Sequence, residues 1–308
     1  MSQAASAPRR RWIRLAWILP VIVVAAVLVV LGAQGLRSLD GVRAFLHTYP
    51  GHSALPSWAP VGFPAWLQWQ HGLSAFLMLF IIRTGWIVRT TGRPDAFFTR
   101  TNTGLIRTKG QPIRISLQLW FHLTTDALWV LNGLVFYVLI FSTGQWVRIV
   151  PTRWDVLPNA VSAALQYASL SWPTEDGWAN YNALQLLSYF VVVFLLAPLA
   201  ILTGVRMAPG LAAWWRRFDR VYPLPLARRL HFPLAVLFAA FIVVHVFLVL
   251  ATGALRNLNH MFAGNDTRSW AGVIVFAAFV AVCVAAWFAL RPVVLRMLAG
   301  TMGAVRRR

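Results

Sequence analysis

Residues 229–250 read RLHFPLAVLFAAFIVVHVFLVL, and after Arg229 no residue carries a fixed charge. An apolar run of this length is stable only where lipid replaces water, and there a helix is the conformation that satisfies its own backbone. Two histidines stand in it, His231 and His245. An ionisable side chain in the hydrocarbon layer is costly unless a partner compensates for its burial. The two are 14 residues apart, close to four helical turns, so they project from nearly the same face. Their separation along the axis is about 21 Å at 1.5 Å per residue. One helix therefore presents an imidazole to each leaflet.

Working outward, five further apolar segments lie at about residues 12–35, 66–88, 117–141, 184–205 and 270–290. The chain is predicted to be an all-α, polytopic membrane protein with six transmembrane helices in a single membrane domain. Composition agrees, since 59% of the 308 residues are hydrophobic and only 12% are charged, against about a quarter in soluble domains. Many of the 16 tryptophans, such as Trp66, Trp86, Trp146 and Trp270, stand where apolar runs end, at the headgroup level that suits an amphipathic ring. The first segment is long for the apolar region of a signal peptide, which favours an uncleaved helix. The single cysteine, Cys283, rules out an intrachain disulfide and a cysteine-bound iron–sulfur cluster within the chain.

The net charge of +20 does not indicate nucleic-acid binding, because the basic residues are dispersed among short segments rather than gathered in one patch. Twenty-two of the 28 Lys and Arg lie at the N-terminus, in the second-to-third and fourth-to-fifth connections, and in the tail; six lie on the alternate side. The positive-inside rule then predicts two cytoplasmic termini, consistent with six spans. In this orientation the second span runs outside to inside, placing His71 near the outer level of His245. The third runs inside to outside, placing His122 near the inner level of His231. Four intramembrane histidines thus form two pairs matched in depth.

Intramembrane histidines can simply bond a carbonyl or a serine on a neighbouring helix. Two depth-matched pairs instead suit two stacked b haems, each iron held by two neutral imidazoles inside a large apolar face. Zinc fits less well, because neither pair has a convergent carboxylate or cysteine. Covalent haem is excluded by the absence of Cys-x-x-Cys-His. Gly85, 14 residues beyond His71, and Gly133, 11 beyond His122, fit either a macrocycle edge or ordinary close helix packing. Arg83 either snorkels to the inner interface or binds an inner haem propionate. Asp126, one turn after His122, is a candidate to pair with an arginine, orient His122 or accept quinol protons. His47, His52 and His260 lie in outer connections and are read as solvated residues, an outer quinone site or a docking surface. Val161 to Leu170 is a candidate interfacial helix. No phosphate-binding loop, zinc-protease motif or nucleophile elbow is present.

Single histidines in two consecutive spans, followed two spans later by a pair 14 apart, make the chain resemble a known group. This is the bacterial cytochrome b561 group, which includes the membrane cytochrome b subunits of nickel–iron hydrogenase and formate dehydrogenase. The phrases His71-Gly-Leu-Ser-Ala through Thr84-Gly-Trp and Leu131-Asn-Gly-Leu-Val through Thr143-Gly also resemble it. The resemblance implies a four-helix di-haem unit at 66–250, flanked by an extra span at 12–35, a last span at 270–290 and a basic cytoplasmic tail at 291–308. It implies two haem b passing electrons between a quinone pool and a partner redox subunit in a bacterial cytoplasmic membrane. A molybdenum-containing oxidoreductase is one such partner. The extra first span reverses the unit relative to the group's common arrangement, and the long outer connections point to an outer partner. Two other readings are a self-contained transmembrane reductase of an outer acceptor and a haem-free proton-coupled transporter.

Overall fold

The computed structural model describes residues 8–102, 111–172, 176–210 and 219–308. Of the basic residues weighed above, Arg107, Lys109, Arg216 and Arg217 lie outside the described residues, as do the side chains of Arg9, Arg10, Arg11 and Arg14.

The fold is mainly helical. Six helices are long and apolar enough to cross a bilayer: Ala16–Ser38, Ala65–Thr90, Leu117–Ser142, Ala183–Met207, Leu224–Ala251 and Ala271–Ala289. Each lies within a few residues of its expected position. Their outward faces carry side chains that water would not tolerate in such density, among them Val21, Leu28, Leu134, Val138, Val243, Phe247 and Ile274; lipid supplies the missing contacts.

The chain divides into two compact units, Met1–Trp58 with Val147–Tyr189, and Ala59–Trp146 with Phe190–Arg308. In the first, a helix, α5 (Val156–Ala168), covers most of the Val161 to Leu170 segment. The long connections close on one another there. Gly51 N–H donates to Asn159 Oδ1 (2.9 Å), and Arg37 donates to Ser169 Oγ (2.7 Å). Ala183 N–H donates to the Gly51 carbonyl at 2.9 Å. Gly51 has φ +104°, a left-handed conformation that favours a residue without Cβ. Arg148, 2% exposed, donates to the Gly177 carbonyl at 2.6 Å and lies over the Tyr181 ring.

The second unit holds the second, third, fifth and sixth spans and the latter part of the fourth. In the fourth span, α6 (Ala183–Phe190) passes through a π turn at Val191–Leu196 into α7 (Ala197–Met207). Pro198 has no N–H to give, and the widened turn leaves the Val193 carbonyl to accept from Tyr137 Oη at 2.6 Å. The basic tail is ordered. It forms a helix, Pro292–Gly300, and a strand, Gly303–Arg307. That strand is β3 of an antiparallel sheet ordered β2-β1-β3, with β1 at Ala96–Arg100 and β2 at Arg114–Ser116. Ala96, Phe98, Leu117, Trp120, Leu295 and Ala299 form the buried core beneath it.

Candidate functional site

All four intramembrane histidines belong to the second unit, and they meet in two pairs. The rings of His71 and His245 have centroids 6.2 Å apart and planes inclined at 58°. Those of His122 and His231 are 6.5 Å apart at 87°. Helix α3 (Ala65–Thr90) carries His71, α4 (Leu117–Ser142) carries His122, and α8 (Leu224–Ala251) carries both partners. Each histidine of α8 thus lies beside one histidine of α3 or α4.

The separations themselves suit a shared metal. Imidazole–metal bonds are about 2.0–2.1 Å, so one metal between two ring nitrogens sets the centroids roughly 6 Å apart. His71 Nδ1 is buried without a hydrogen-bond partner. Aromatic rings line this level: Phe241 stacks on His245 at 5.6 Å, and Phe262 meets His71 edge-on at 6.4 Å. Such walls fit the apolar face of a porphyrin. Among the described residues no cluster of three or more His, Cys, Asp or Glu is placed to bind a bare metal ion.

At the other level, Thr84 Oγ1 is 2.9 Å from His122 Nδ1 and Thr203 Oγ1 is 2.8 Å from His231 Nδ1. Sequence reasoning missed both threonines as contacts. A signal was present, because each is followed by glycine, Thr84-Gly85 and Thr203-Gly204, near the end of a span. A Cβ on Gly85 would stand 3.2 Å from His122 Cε1, and one on Gly204 would stand 3.5 Å from His231 Cε1. Gly85 therefore makes room for an imidazole. A Cβ at Gly133 meets no protein atom within 4 Å.

Arg83 donates to the Trp287 carbonyl at 2.8 Å and lies over its indole at 4.3 Å. Asp126 Oδ2 is 3.5 Å from His122 Nε2, too long for a hydrogen bond. The connection histidines differ from one another. His47 and His52 are exposed, whereas His260 is buried. His260 stacks on Phe63 and bonds Asp266 at 2.6 Å, so it is neither solvated nor a surface for docking. Arg256 holds the same carboxylate through two nitrogens at 2.5 and 2.9 Å. The hydrogen bond from Arg256, aided by His260, holds the Asp266 carboxyl well below the usual range.

Residues 62–264 match the family described as prokaryotic cytochrome b561. The chain belongs to that family. The match spans the second through fifth spans and both histidine pairs. No curated protein and no solved structure matches the chain. Membership makes it a multi-pass membrane protein of a haem b electron-transfer family.

Proposed function

We propose that the chain is a di-haem cytochrome b subunit that carries electrons through the membrane between a quinone pool and a partner redox subunit. The observation that carries this reading is the two histidine pairs, with ring centroids 6.2 and 6.5 Å apart, whose α8 members stand 14 residues apart. His71 and His245 hold one haem, and His122 and His231 hold the other. When bound, haem b supplies one-electron chemistry at its iron. The chain's own residues would orient the imidazoles, with Phe241 and Phe262 supplying apolar surface beside His245 and His71.

The charge split supports cytoplasmic termini and a bacterial cytoplasmic membrane location, with the His71–His245 level outermost. An apolar groove is lined by Trp66, Trp69, Leu73 and Phe76 of the helix that carries His71, with Gln70 and Asn132 as its polar groups. It suits a flat, lipid-soluble quinone. The length of the outer connections, whose described residues bond one another, favours a partner on the outer side. The family resemblance makes a molybdenum-containing oxidoreductase one candidate partner, and Arg83 is a candidate for one propionate.

The test is optical. Protein purified from a haem-replete host is expected to be red, with a b-type reduced-minus-oxidised spectrum and two haems per chain by haemochrome assay. A colourless preparation overturns the reading, and a ratio of one overturns the two-pair assignment.

A further inference from the structure

The second unit repeats one local device at the His122–His231 level. In each case a Thr-Gly dipeptide near the end of one span faces the histidine near the start of the next. Thr84 and Thr203 are 2% and 1% exposed, so no water competes for their hydroxyls. Thr84 Oγ1 lies 2.6 Å from the Phe80 carbonyl, and Thr203 Oγ1 lies 2.8 Å from the Leu199 carbonyl. A carbonyl cannot donate. Were the hydroxyl hydrogen turned toward the imidazole, two oxygens would face each other at these distances with no hydrogen between them. The hydrogen therefore goes to the helix's own carbonyl, and the hydroxyl oxygen is left to accept from Nδ1–H at 2.9 and 2.8 Å.

We propose that Thr84 and Thr203 are positioning residues that fix His122 and His231 as Nδ1–H tautomers, presenting the Nε2 lone pair of each to one haem iron. This rests on the di-haem reading. Gly85 and Gly204 complete the device by letting each ring lie against the helix that holds its hydroxyl. The two levels are not equivalent, because His71 Nδ1 at the other level has no hydrogen-bond partner. A bond from Nδ1–H would raise the basicity of a metal-ligating imidazole. It therefore stabilises ferric over ferrous iron and lowers the potential of the haem that this pair holds.

The test is a spectroscopic redox titration of the purified, haem-loaded protein and of four variants: Thr84→Val, Thr203→Val, Thr84→Ser and Thr203→Ser. His122→Ala assigns the spectral component that belongs to this level. Each valine variant keeps the side-chain shape but removes the acceptor. Each is expected to raise the ferrous-to-ferric ratio of that component at a fixed potential by roughly three- to tenfold. Each serine variant is expected to restore it, with the other haem unmoved throughout. Loss of the haem in a valine variant and its return in the serine variant would equally support the assignment. Unchanged potentials, a shift of the other haem instead, or haem loss in valine and serine variants alike would overturn it. Absence of haem from the unmodified protein would instead defeat the di-haem reading.

Discussion

At the scale of single residues, the histidines and the groups that hold them were not equally visible. His71, His122, His231 and His245 stand out because hydrocarbon makes an unpartnered imidazole expensive, and a 14-residue spacing needs only helix geometry to interpret. Thr84 and Thr203 are different. Each bonds its own helix, as an ordinary intramembrane threonine does, and meets a histidine 38 or 28 residues away, a distance in sequence that no helical period encodes. Gly85 was legible as a small residue on the haem face, but its neighbour is the His122 ring. Replacing it with alanine puts a methyl 3.2 Å from Cε1, where the imidazole must shift. In Gly85→Ala the haem content is expected to fall from two per chain toward one, with the His122–His231 component lost or broadened. Haemochrome assay and difference spectra measure this, and a full complement with unchanged spectra would contradict it.

Among the elements, the spans follow from hydropathy alone, whereas their connections do not. The pairing of β1 with β3 joins Phe97 to Arg306 and Phe98 to Val305. That tail reads as a free basic segment, because a five-residue strand carries little pattern until its partner is known. The connection between the fifth and sixth spans is built on buried Asn259. Its side-chain nitrogen donates to the Thr267 carbonyl at 2.7 Å and the Ser269 carbonyl at 3.0 Å, and its oxygen accepts from Gly272 N–H at 2.6 Å. Asn259→Ala removes all three bonds and leaves the buried Gly272 N–H without its acceptor, a loss of about 1–3 kcal/mol, seen as a lower thermal midpoint in detergent. Beside it, the Arg256–Asp266–His260 cluster holds the same connection. Because the folded carboxyl titrates below its unfolded value, its contribution is complete at neutral pH. It is lost only as the pH falls below about 4 and through the lowered folded value. Asp266→Asn should therefore lower the thermal midpoint at pH 7, and the difference from the unmodified protein should shrink in strong acid. A constant difference across that range would contradict the assignment.

For the whole molecule, one arrangement accounts for the apolar spans, the uneven charge and the paired imidazoles. The spans carrying the four histidines are continuous helices, without the broken segments a transporter uses at its binding site. The orientation is open to direct test. Reporters fused to the two termini are expected to show both in the cytoplasm; periplasmic signals from both would reverse the assigned levels, and a signal from one alone would contradict six spans. The central claim is the sharing of haems between spans, and single replacement of each ligand tests it most directly. Difference spectra with redox titration of His71→Ala and His245→Ala should show loss of the same component. His122→Ala and His231→Ala should both lose the other. Loss of different components within either pair would contradict the account.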